Sequence, residues 1–180
     1  MDMINPVPEY INHFLYPLVG DRMLELGNKK SGNNSYKDYF TAQGIEHISI
    51  DWNGLDGALK LDLRQPIDLG QFDMVTNFGT TEHVSDQEPV WRNIHNAVKV
   101  GGVIISMCPK EGDWWWHGQH YPTEEFYTQF AYLNGYQIEH MQTGREYPNR
   151  NIDVRMKKIT SCDFTMPGAG TIYFNHTRPR

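Results

Sequence analysis

The sequence lacks long apolar runs and has few cysteines. No apolar stretch among its 180 residues approaches the roughly 20 residues that a membrane-spanning helix needs. The segment from Met1 to Pro6 has neither the basic nor the apolar region of a signal peptide. The two cysteines, Cys108 and Cys162, are too few and too far apart in sequence for a disulfide framework or a zinc site. We therefore expect a cytoplasmic protein with reduced cysteines and no membrane segment.

An excess of positive charge is also missing. The chain has 16 basic and 22 acidic residues, and its formal net charge of −6 repels a phosphate backbone. This charge disfavours nucleic acid as a partner. A hydrophobic content of 39% and a charged content of 21% are ordinary for a globular protein. The length predicts one domain over residues 1–180, with a real core and no separate substrate-recognition domain.

Three short apolar segments stop at a glycine or an acidic residue, which is typical of buried parallel strands whose carboxyl ends open onto a ligand crevice. They are Met23 to Leu26 before Gly27, Glu46 to Ile50 before Asp51, and Phe72 to Phe78 before Gly79. Gly27 has no side chain, so a ligand can approach its backbone closely. Asp51 follows 24 residues later, a spacing that suits a carboxylate accepting hydrogen bonds from two ribose hydroxyls.

Helices and strands alternate through most of the chain, which predicts an α/β fold with a doubly wound sheet. The predicted helices are 36–43, 89–99 and 123–134, and residues 6–19 have the apolar spacing of a helix that caps the entrance of the crevice. After Gly135 only strands are predicted, at 136–141, 152–159 and 171–176. The single domain thus divides into a capping segment, a core and C-terminal strands, over residues 1–20, 21–135 and 136–180.

In their order along the chain, these segments resemble the class I S-adenosylmethionine-dependent methyltransferases. The motifs that carry the resemblance are Glu25-Leu26-Gly27, Asp51, Leu61-Asp62-Leu63, Phe72 to Asn77, Glu82-His83-Val84, and Asn96 to Ser106 with its two glycines. Their order is more specific than any one of them, and together they cover roughly residues 20 to 140. The resemblance implies a mostly parallel sheet with an antiparallel hairpin at its C-terminal end. Three candidate strands compete for the two places in that hairpin, so one of them is an addition.

The resemblance also implies S-adenosylmethionine as the cofactor and a set of residues that bind it. This set consists of Glu25, Gly27, Asn28, Asp51, Trp52, Asp62, Leu63, Asn77, Phe78 and Gly79. The family usually has closely spaced glycines in its first loop, whereas here four side chains separate Gly27 from Gly32. Either Asn28 and Lys29 make polar contacts with the cofactor, or the site is altered. The same loop counts against a nicotinamide dinucleotide, whose pyrophosphate needs the G-x-G-x-x-G turn.

The segment from Pro109 to Pro122 is rich in aromatic residues and follows the predicted strand that ends near residue 108. Three consecutive tryptophans cannot all enter one core, because neighbouring side chains diverge. Since loops at the carboxyl ends of strands face the crevice, we predict that this loop binds the methyl acceptor. The candidate contacts are Trp114, Trp115, Trp116 and Tyr121. The alternative is that the tryptophans plug the top of the domain or lie in a homodimer interface.

Three histidines are candidates for the group that accepts a proton from the attacking hydroxyl or amine. Imidazole titrates near neutrality, and His117 and His120 lie in the loop that should close over the acceptor. His83 is the alternative, although it follows the predicted fourth strand. A metal site built on His117, His120 and His83 with Glu82 is weighed and not predicted. The spacing is weak, and a His-x-x-His in a loop without cysteines is more often incidental.

The sequence therefore favours S-adenosylmethionine-dependent methyl transfer to an oxygen or nitrogen of a small molecule, by in-line displacement. Two alternatives remain open. One is a methyltransferase-like binding or regulatory protein without activity, which the altered first loop permits. The other is a dinucleotide-dependent enzyme, which the same loop disfavours.

Overall fold

The computed structural model of the chain describes residues 15–31, 34–111, 114, 117–144 and 150–174. The strands are β1 Arg22–Leu26, β2 Lys30–Ser31, β3 Asn34–Ser35, β4 Glu46–Asp51, β5 Leu59–Lys60, β6 Phe72–Phe78, β7 Val98–Pro109, β8 His120–Pro122, β9 Tyr136–Thr143, β10 Asn151–Lys158 and β11 Ile172–Phe174. The α-helices are α1 Tyr36–Ala42, α2 Gln87–Ala97 and α3 Glu124–Leu133, and Thr81–His83 forms a 3₁₀ turn. No helix among these residues is long and apolar enough to cross a membrane.

Seven of the strands form one sheet in the order β5-β4-β1-β6-β7-β10-β9. The first five strands are parallel to one another, and β10 runs antiparallel to both β7 and β9. The predicted doubly wound, mostly parallel sheet with an antiparallel hairpin is therefore confirmed. The hairpin consists of β9 and β10. The additional strand is β11, which pairs with β8 in a separate two-stranded sheet.

Two apolar clusters cover the two faces of the sheet, because alternate residues of a strand point to opposite sides. In β1, Leu24 belongs to the cluster that contains Trp91 of α2 and Phe130 of α3. Its neighbour Met23 belongs to the other cluster, with Phe40 of α1. Every residue of β6 is buried, as expected for a central parallel strand with helices on both faces.

The helix predicted over residues 89–99 begins and ends two residues earlier, as α2. It ends at Ala97 because Val98 already pairs with Phe72 of β6. The glycines that were expected to end the helix lie instead within β7, beside a shift in its register with β6. A Cβ on Gly102 would lie 2.8 Å from the carbonyl oxygen of Asp73, so the two strands approach too closely for a side chain there.

The capping helix predicted over residues 6–19 lies mostly outside the described residues. Its last five residues are described: Leu15 is helical, and residues 16–19 are not. Leu15 is fully buried, and a guanidinium from β10 holds this segment against the sheet. Arg155 donates one hydrogen bond of 2.9 Å to the carbonyl of Leu15 and one of 3.1 Å to that of Pro17. The segment is therefore attached by backbone carbonyls, which an apolar periodicity cannot indicate.

The first turn of α3 carries a cap whose loss should be measurable. Thr123 Oγ1 accepts the amide of Phe126 at 3.1 Å and donates to the carbonyl of Thr171 at 2.7 Å. Thr123→Ala is therefore expected to lower the free energy of unfolding by about 1 kcal/mol in urea denaturation. Thr123→Ser keeps the hydroxyl and is the matched control. Equal losses in the two variants would contradict a role for the cap.

Candidate active site

A crevice with a volume of about 800 Å³ opens at the carboxyl ends of the parallel strands. Its walls come from residues 50–52, residues 60–64, several residues between 79 and 85, and Gln119. A smaller recess of about 180 Å³ adjoins it and is lined by residues 26–29 and 78–80 with Asp51. Asp51, Gly79 and Thr80 line both spaces. The two spaces together follow the ends of β1, β4 and β6.

Gly27 lies where the ends of three strands converge. Its amide donates to the carbonyl of Ile50 at 2.8 Å, and its φ of +80° is a conformation that favours glycine. A Cβ would lie 2.5 Å from Thr80 Oγ1, which itself donates to the carbonyl of Leu26 at 2.8 Å. The close approach predicted at Gly27 is thus made, in the protein itself, by the Thr80 side chain.

Asp51 ends β4 at the junction of the two spaces. Its Oδ1 accepts the amide of Asn53 at 3.0 Å, which fixes the carboxylate in the crevice wall. The neighbouring Trp52 also lines the crevice and is 79% exposed, an unusual exposure for a large aromatic side chain. A carboxylate and an exposed ring next to it suit a ligand that has both hydroxyl groups and a flat aromatic part.

The next wall contains Asp62 and Leu63. Asp62 is held by Arg64, whose Nη2 donates to Oδ2 at 2.7 Å. These hydrogen bonds from Arg64 lower the pKa of Asp62 to about 2. Leu63 is buried, and its carbonyl accepts the side-chain amide of Asn93 at 2.9 Å. Both residues line the crevice, and Arg64 keeps the carboxylate charged down to low pH.

Glu25 is buried beneath the first loop and is not among the residues that line the two spaces. Its Oε1 accepts the amide of Lys29 at 3.0 Å, and its Oε2 lies 3.1 Å from Nε2 of His47. Burial raises the pKa of Glu25, against the opposing effect of His47. Within the protein, this carboxylate therefore fixes the loop that carries Asn28 and Lys29.

The turn after β6 is built by Asn77, whose side chain is completely buried. Its Oδ1 accepts the amides of Thr80 at 3.2 Å and Thr81 at 3.1 Å, and its Nδ2 donates to Ser106 Oγ at 3.0 Å. Phe78 is 1% exposed but borders the smaller recess. Gly79, with a φ of +76°, leads the chain into the crevice. Asn77 thus supports the wall from behind, and Gly79 forms part of it.

The aromatic loop is only partly described, because Trp115 and Trp116 lie outside the described residues. Trp114 is half-buried and donates from Nε1 to the carbonyl of Arg150 at 2.7 Å. Tyr121 is fully buried, and its hydroxyl donates to the carbonyl of Trp114 at 2.8 Å. Neither side chain is among those that line the crevice. These four residues stay predictions as acceptor contacts.

The three candidate histidines separate into a pair and a single residue. The rings of His83 and His117 lie 4.9 Å apart, and both face the buried carboxylate of Glu82. His120 lies apart from them, with its ring 5.1 Å from that of Phe174, and burial lowers its pKa. His83 lines the crevice directly. His120 follows Gln119, which also lines it.

Several crevice residues were not predicted from the sequence. Lys60, Arg64, Thr80, Ser85 and Gln119 all line it. Lys60, Arg64 and Thr80 each stand next to a predicted motif residue, so a wider window around each motif would have included them. Gln119 carries no local signal, because a contact distant in sequence positions it: its amide donates to the carbonyl of Glu82 at 2.7 Å.

The central part of the chain matches a known family. Residues 22–106 match the model of the methyltransferase domain family. The matched segment runs from the first residue of β1 into β7, and it contains the crevice walls formed by residues 50–52, 60–64 and 79–85. The mostly parallel sheet with its antiparallel hairpin is the one that the resemblance to this family implies. Over this segment, just under half of its length, the chain is similar to the methyltransferase domain family. Comparison with the curated proteins finds no sequence match.

Solved structures of methyltransferases share the fold. The 1,6-didemethyltoxoflavin-N1-methyltransferase of Burkholderia thailandensis, with S-adenosylhomocysteine bound, is 14% identical with a TM-score of 0.56, over 77% of this chain and 71% of that one. An S-adenosylmethionine-dependent methyltransferase from Mesorhizobium loti is 15% identical with a TM-score of 0.59, over 82% and 95%. The N-methyltransferase NodS of Bradyrhizobium japonicum is 13% identical with a TM-score of 0.58, over 83% and 92%. At these identities, the likeness concerns the fold.

Proposed function

We propose that the protein is a class I methyltransferase, which transfers the methyl group of S-adenosylmethionine to an oxygen or nitrogen of a small molecule. The observation that carries the proposal is the continuous crevice over the ends of β1, β4 and β6, with Asp51 at its centre. Its larger space, about 800 Å³, falls within the roughly 300–1,000 Å³ of small-molecule sites.

The residues around the crevice fit the three parts of the cofactor. The Asp51 carboxylate suits the two ribose hydroxyls, and Leu63 with the exposed Trp52 offers apolar surface to the adenine. Asn28 and Lys29 line the smaller recess, where they would make polar contacts with the methionine part. Lys29 is held there, because its Nζ donates to the carbonyl of Phe78 at 3.3 Å. An ammonium at this position suits the methionine carboxylate, so side chains here take the place of the family's glycines.

Methyl transfer requires no covalent intermediate with the protein. The bound sulfonium supplies an already activated methyl carbon. The chain therefore contributes alignment of the acceptor and exclusion of water, which together can supply much of the rate enhancement. For this reason the acceptor side of the crevice determines the substrate, and we assign it to the loop with Trp114, Trp115, Trp116 and Tyr121.

A hydroxyl or ammonium acceptor must also lose a proton, and we propose a histidine for this step. His117 and His120 are the candidates from the loop, with His83 as the alternative. Of these, His120 is the strongest, since its lowered pKa keeps the imidazole neutral and able to accept a proton at pH 7.

A second candidate function is that of a methyltransferase-like binding or regulatory protein without activity. The observation that favours it is the first loop, where the Thr80 hydroxyl occupies the space over Gly27. Binding of S-adenosylhomocysteine without turnover on any acceptor would support this second function. Binding together with methyl transfer would support the first.

Asp51 offers the sharpest test of the proposed cofactor site. Asp51→Asn is expected to weaken binding of S-adenosylhomocysteine by about 1.5–3 kcal/mol, the contribution of a hydrogen bond to a charged group. The fold should persist, because the amide oxygen can still accept from Asn53. Isothermal titration calorimetry measures the change.

Asp68→Asn is the matched control. Asp68 Oδ1 also accepts the amide two residues further on, at 3.1 Å, but Asp68 does not line the crevice. If both variants and the unmodified protein bind S-adenosylhomocysteine with equal affinity, Asp51 does not contact the cofactor.

A further inference from the structure

Three side chains with metal-binding atoms meet at the turn after β6. Glu82 Oε1 lies 3.7 Å from Nε2 of His83 and 3.4 Å from Nε2 of His117. One ligand atom from each of the three residues lies within 4.8 Å of the other two. Glu82 and His83 are neighbours in sequence, whereas His117 comes from the aromatic loop, so the fold creates the cluster.

The Glu82 carboxylate has no hydrogen-bond donor among the described residues, although its side chain is 0% exposed. Both of its oxygens lack such a partner. A buried carboxylate is strongly destabilising unless it is paired, hydrogen-bonded or bound to a metal. The carboxylate oxygens therefore require a cation or a donor that the described side chains do not supply in hydrogen-bonding geometry.

The two distances from Glu82 to the histidines are too long for direct charge-assisted hydrogen bonds and close to those between ligands of one ion. A charged imidazolium that donates to a carboxylate usually approaches to about 2.7–2.9 Å. The two nitrogens here stay at 3.4 and 3.7 Å from the same oxygen. Ligand atoms that lie about 2.0–2.2 Å from a tetrahedral zinc ion are separated from one another by about 3.3–3.6 Å.

The surrounding backbone holds the three side chains in place. A Cβ on Gly118 would lie 2.6 Å from Cγ of Glu82, so only glycine lets the aromatic loop pack against this carboxylate. The amide of His117 donates to the carbonyl of Trp114 at 3.1 Å. The amide of Gly118 donates to the hydroxyl of Tyr121 at 3.0 Å. Tyr121 thus fastens the turn that presents His117.

We propose that Glu82, His83 and His117 bind one divalent transition-metal ion of the Zn²⁺ type. Two imidazoles and one carboxylate are ligands that zinc prefers, whereas Ca²⁺ and Mg²⁺ require more oxygen ligands. Three protein ligands leave a coordination position open. Since His83 lines the crevice, the ion borders the space that we assign to the methyl acceptor. The sequence did not predict this site, because the spacing of these residues along the chain is a weak signal for a metal centre.

With an ion bound, His83 and His117 are ligands and do not accept the acceptor's proton. His120 then remains as the candidate for that role, consistent with its position outside the cluster. The metal site itself does not depend on the proposed methyl transfer.

The test is metal binding by the full chain after treatment with a chelator. Co²⁺ reports the coordination through its visible absorption, and Zn²⁺ binding is followed by calorimetry. We expect one ion per chain. Glu82→Gln, His83→Ala and His117→Ala should each weaken Zn²⁺ binding more than about 100-fold, beyond the usual effect of an outer-sphere change. His120→Ala is the matched control, because His120 is three residues from His117 but outside the cluster. This variant should bind Zn²⁺ as the unmodified protein does.

Binding that is unchanged in His83→Ala and His117→Ala, or lost equally in His120→Ala, would overturn the proposal. So would the absence of stoichiometric binding, in which case the cluster is an ion pair between Glu82 and a histidine. Both exposed histidines can be replaced without disturbing the core, so these variants remain informative even if Glu82→Gln fails to fold. Titration of each variant with S-adenosylhomocysteine separates failure of the metal site from failure of the cofactor site.

Discussion

Replacing His120 by alanine is expected to lower kcat about 10²–10⁴-fold, the usual effect of losing a general base. Burial lowers the pKa of this imidazole, so the neutral form that accepts a proton prevails at pH 7. The affinity for S-adenosylhomocysteine should stay unchanged, because His120 is not among the residues that we propose to bind the cofactor. A loss in kcat without a loss in cofactor affinity is the signature of a group that acts in the transition state.

Methyl transfer to an accepted substrate, measured beside S-adenosylhomocysteine binding, distinguishes the roles of the histidines. His140→Ala is the control, since His140 lies on β9, three strands from β6 in the sheet. If His117→Ala slows turnover and His120→Ala does not, the proton acceptor or the metal-bound acceptor lies at the Glu82 cluster. If no histidine variant is slower, alignment and exclusion of water suffice, and none of these imidazoles takes part in proton transfer.

Trp91→Ala is expected to lower the free energy of unfolding by about 3–5 kcal/mol, the range for large aromatic residues replaced in a core. Trp91 is fully buried, with its ring centroid 4.7 Å from that of Phe126 and 5.5 Å from that of Phe130. Its Nε1 also donates to Oε1 of Gln87 at 3.1 Å, so the substitution leaves both a cavity and an unpaired amide oxygen.

Urea denaturation followed by circular dichroism measures this change. Trp91→Phe retains much of the ring and should cost less than the alanine variant. A loss below about 1 kcal/mol in Trp91→Ala, typical of a surface position, would contradict the packing described for α2 against α3.

The sheet could be predicted well because its central strands are buried on both faces. Segments such as Met23 to Leu26 and Phe72 to Phe78 are apolar, too short for a helix and followed by glycine, a combination that indicates a buried strand. The start of α3 was also predictable, because Thr123 and the two acidic residues after it are a local signal for the beginning of a helix. These features depend on neighbouring residues, so sequence alone contains them.

Other elements depend on partners that are distant in sequence. The place where α2 ends is set by pairing of Val98 with Phe72, although the glycines further on are a stronger local signal. The strand β11 pairs with β8 in register Ile172 to Pro122, which no periodicity reveals. In both cases, contacts between residues distant in sequence determine the structure, and the local sequence is compatible with more than one outcome.

The candidate site was predictable where it follows strand ends and unpredictable where loops meet. Asp51 lines the crevice, as its position at the carboxyl end of β4 implies. The close approach of His117 to Glu82 depends on Gly118, because any larger residue there would clash with Glu82. The sequence does not indicate this contact. The position of the Thr80 hydroxyl over Gly27 could not be predicted either, because Thr80 belongs to the turn after a different strand.

Calorimetric titration of the full chain with S-adenosylhomocysteine tests the central proposal, a class I methyltransferase cofactor site centred on Asp51, most directly. We expect one molecule to bind per chain, with Asp51→Asn weakened and Asp68→Asn unchanged. NAD, titrated in parallel, should not bind. Absence of binding to S-adenosylhomocysteine, or binding of NAD in preference to it, would contradict the proposed cofactor and with it the proposed reaction.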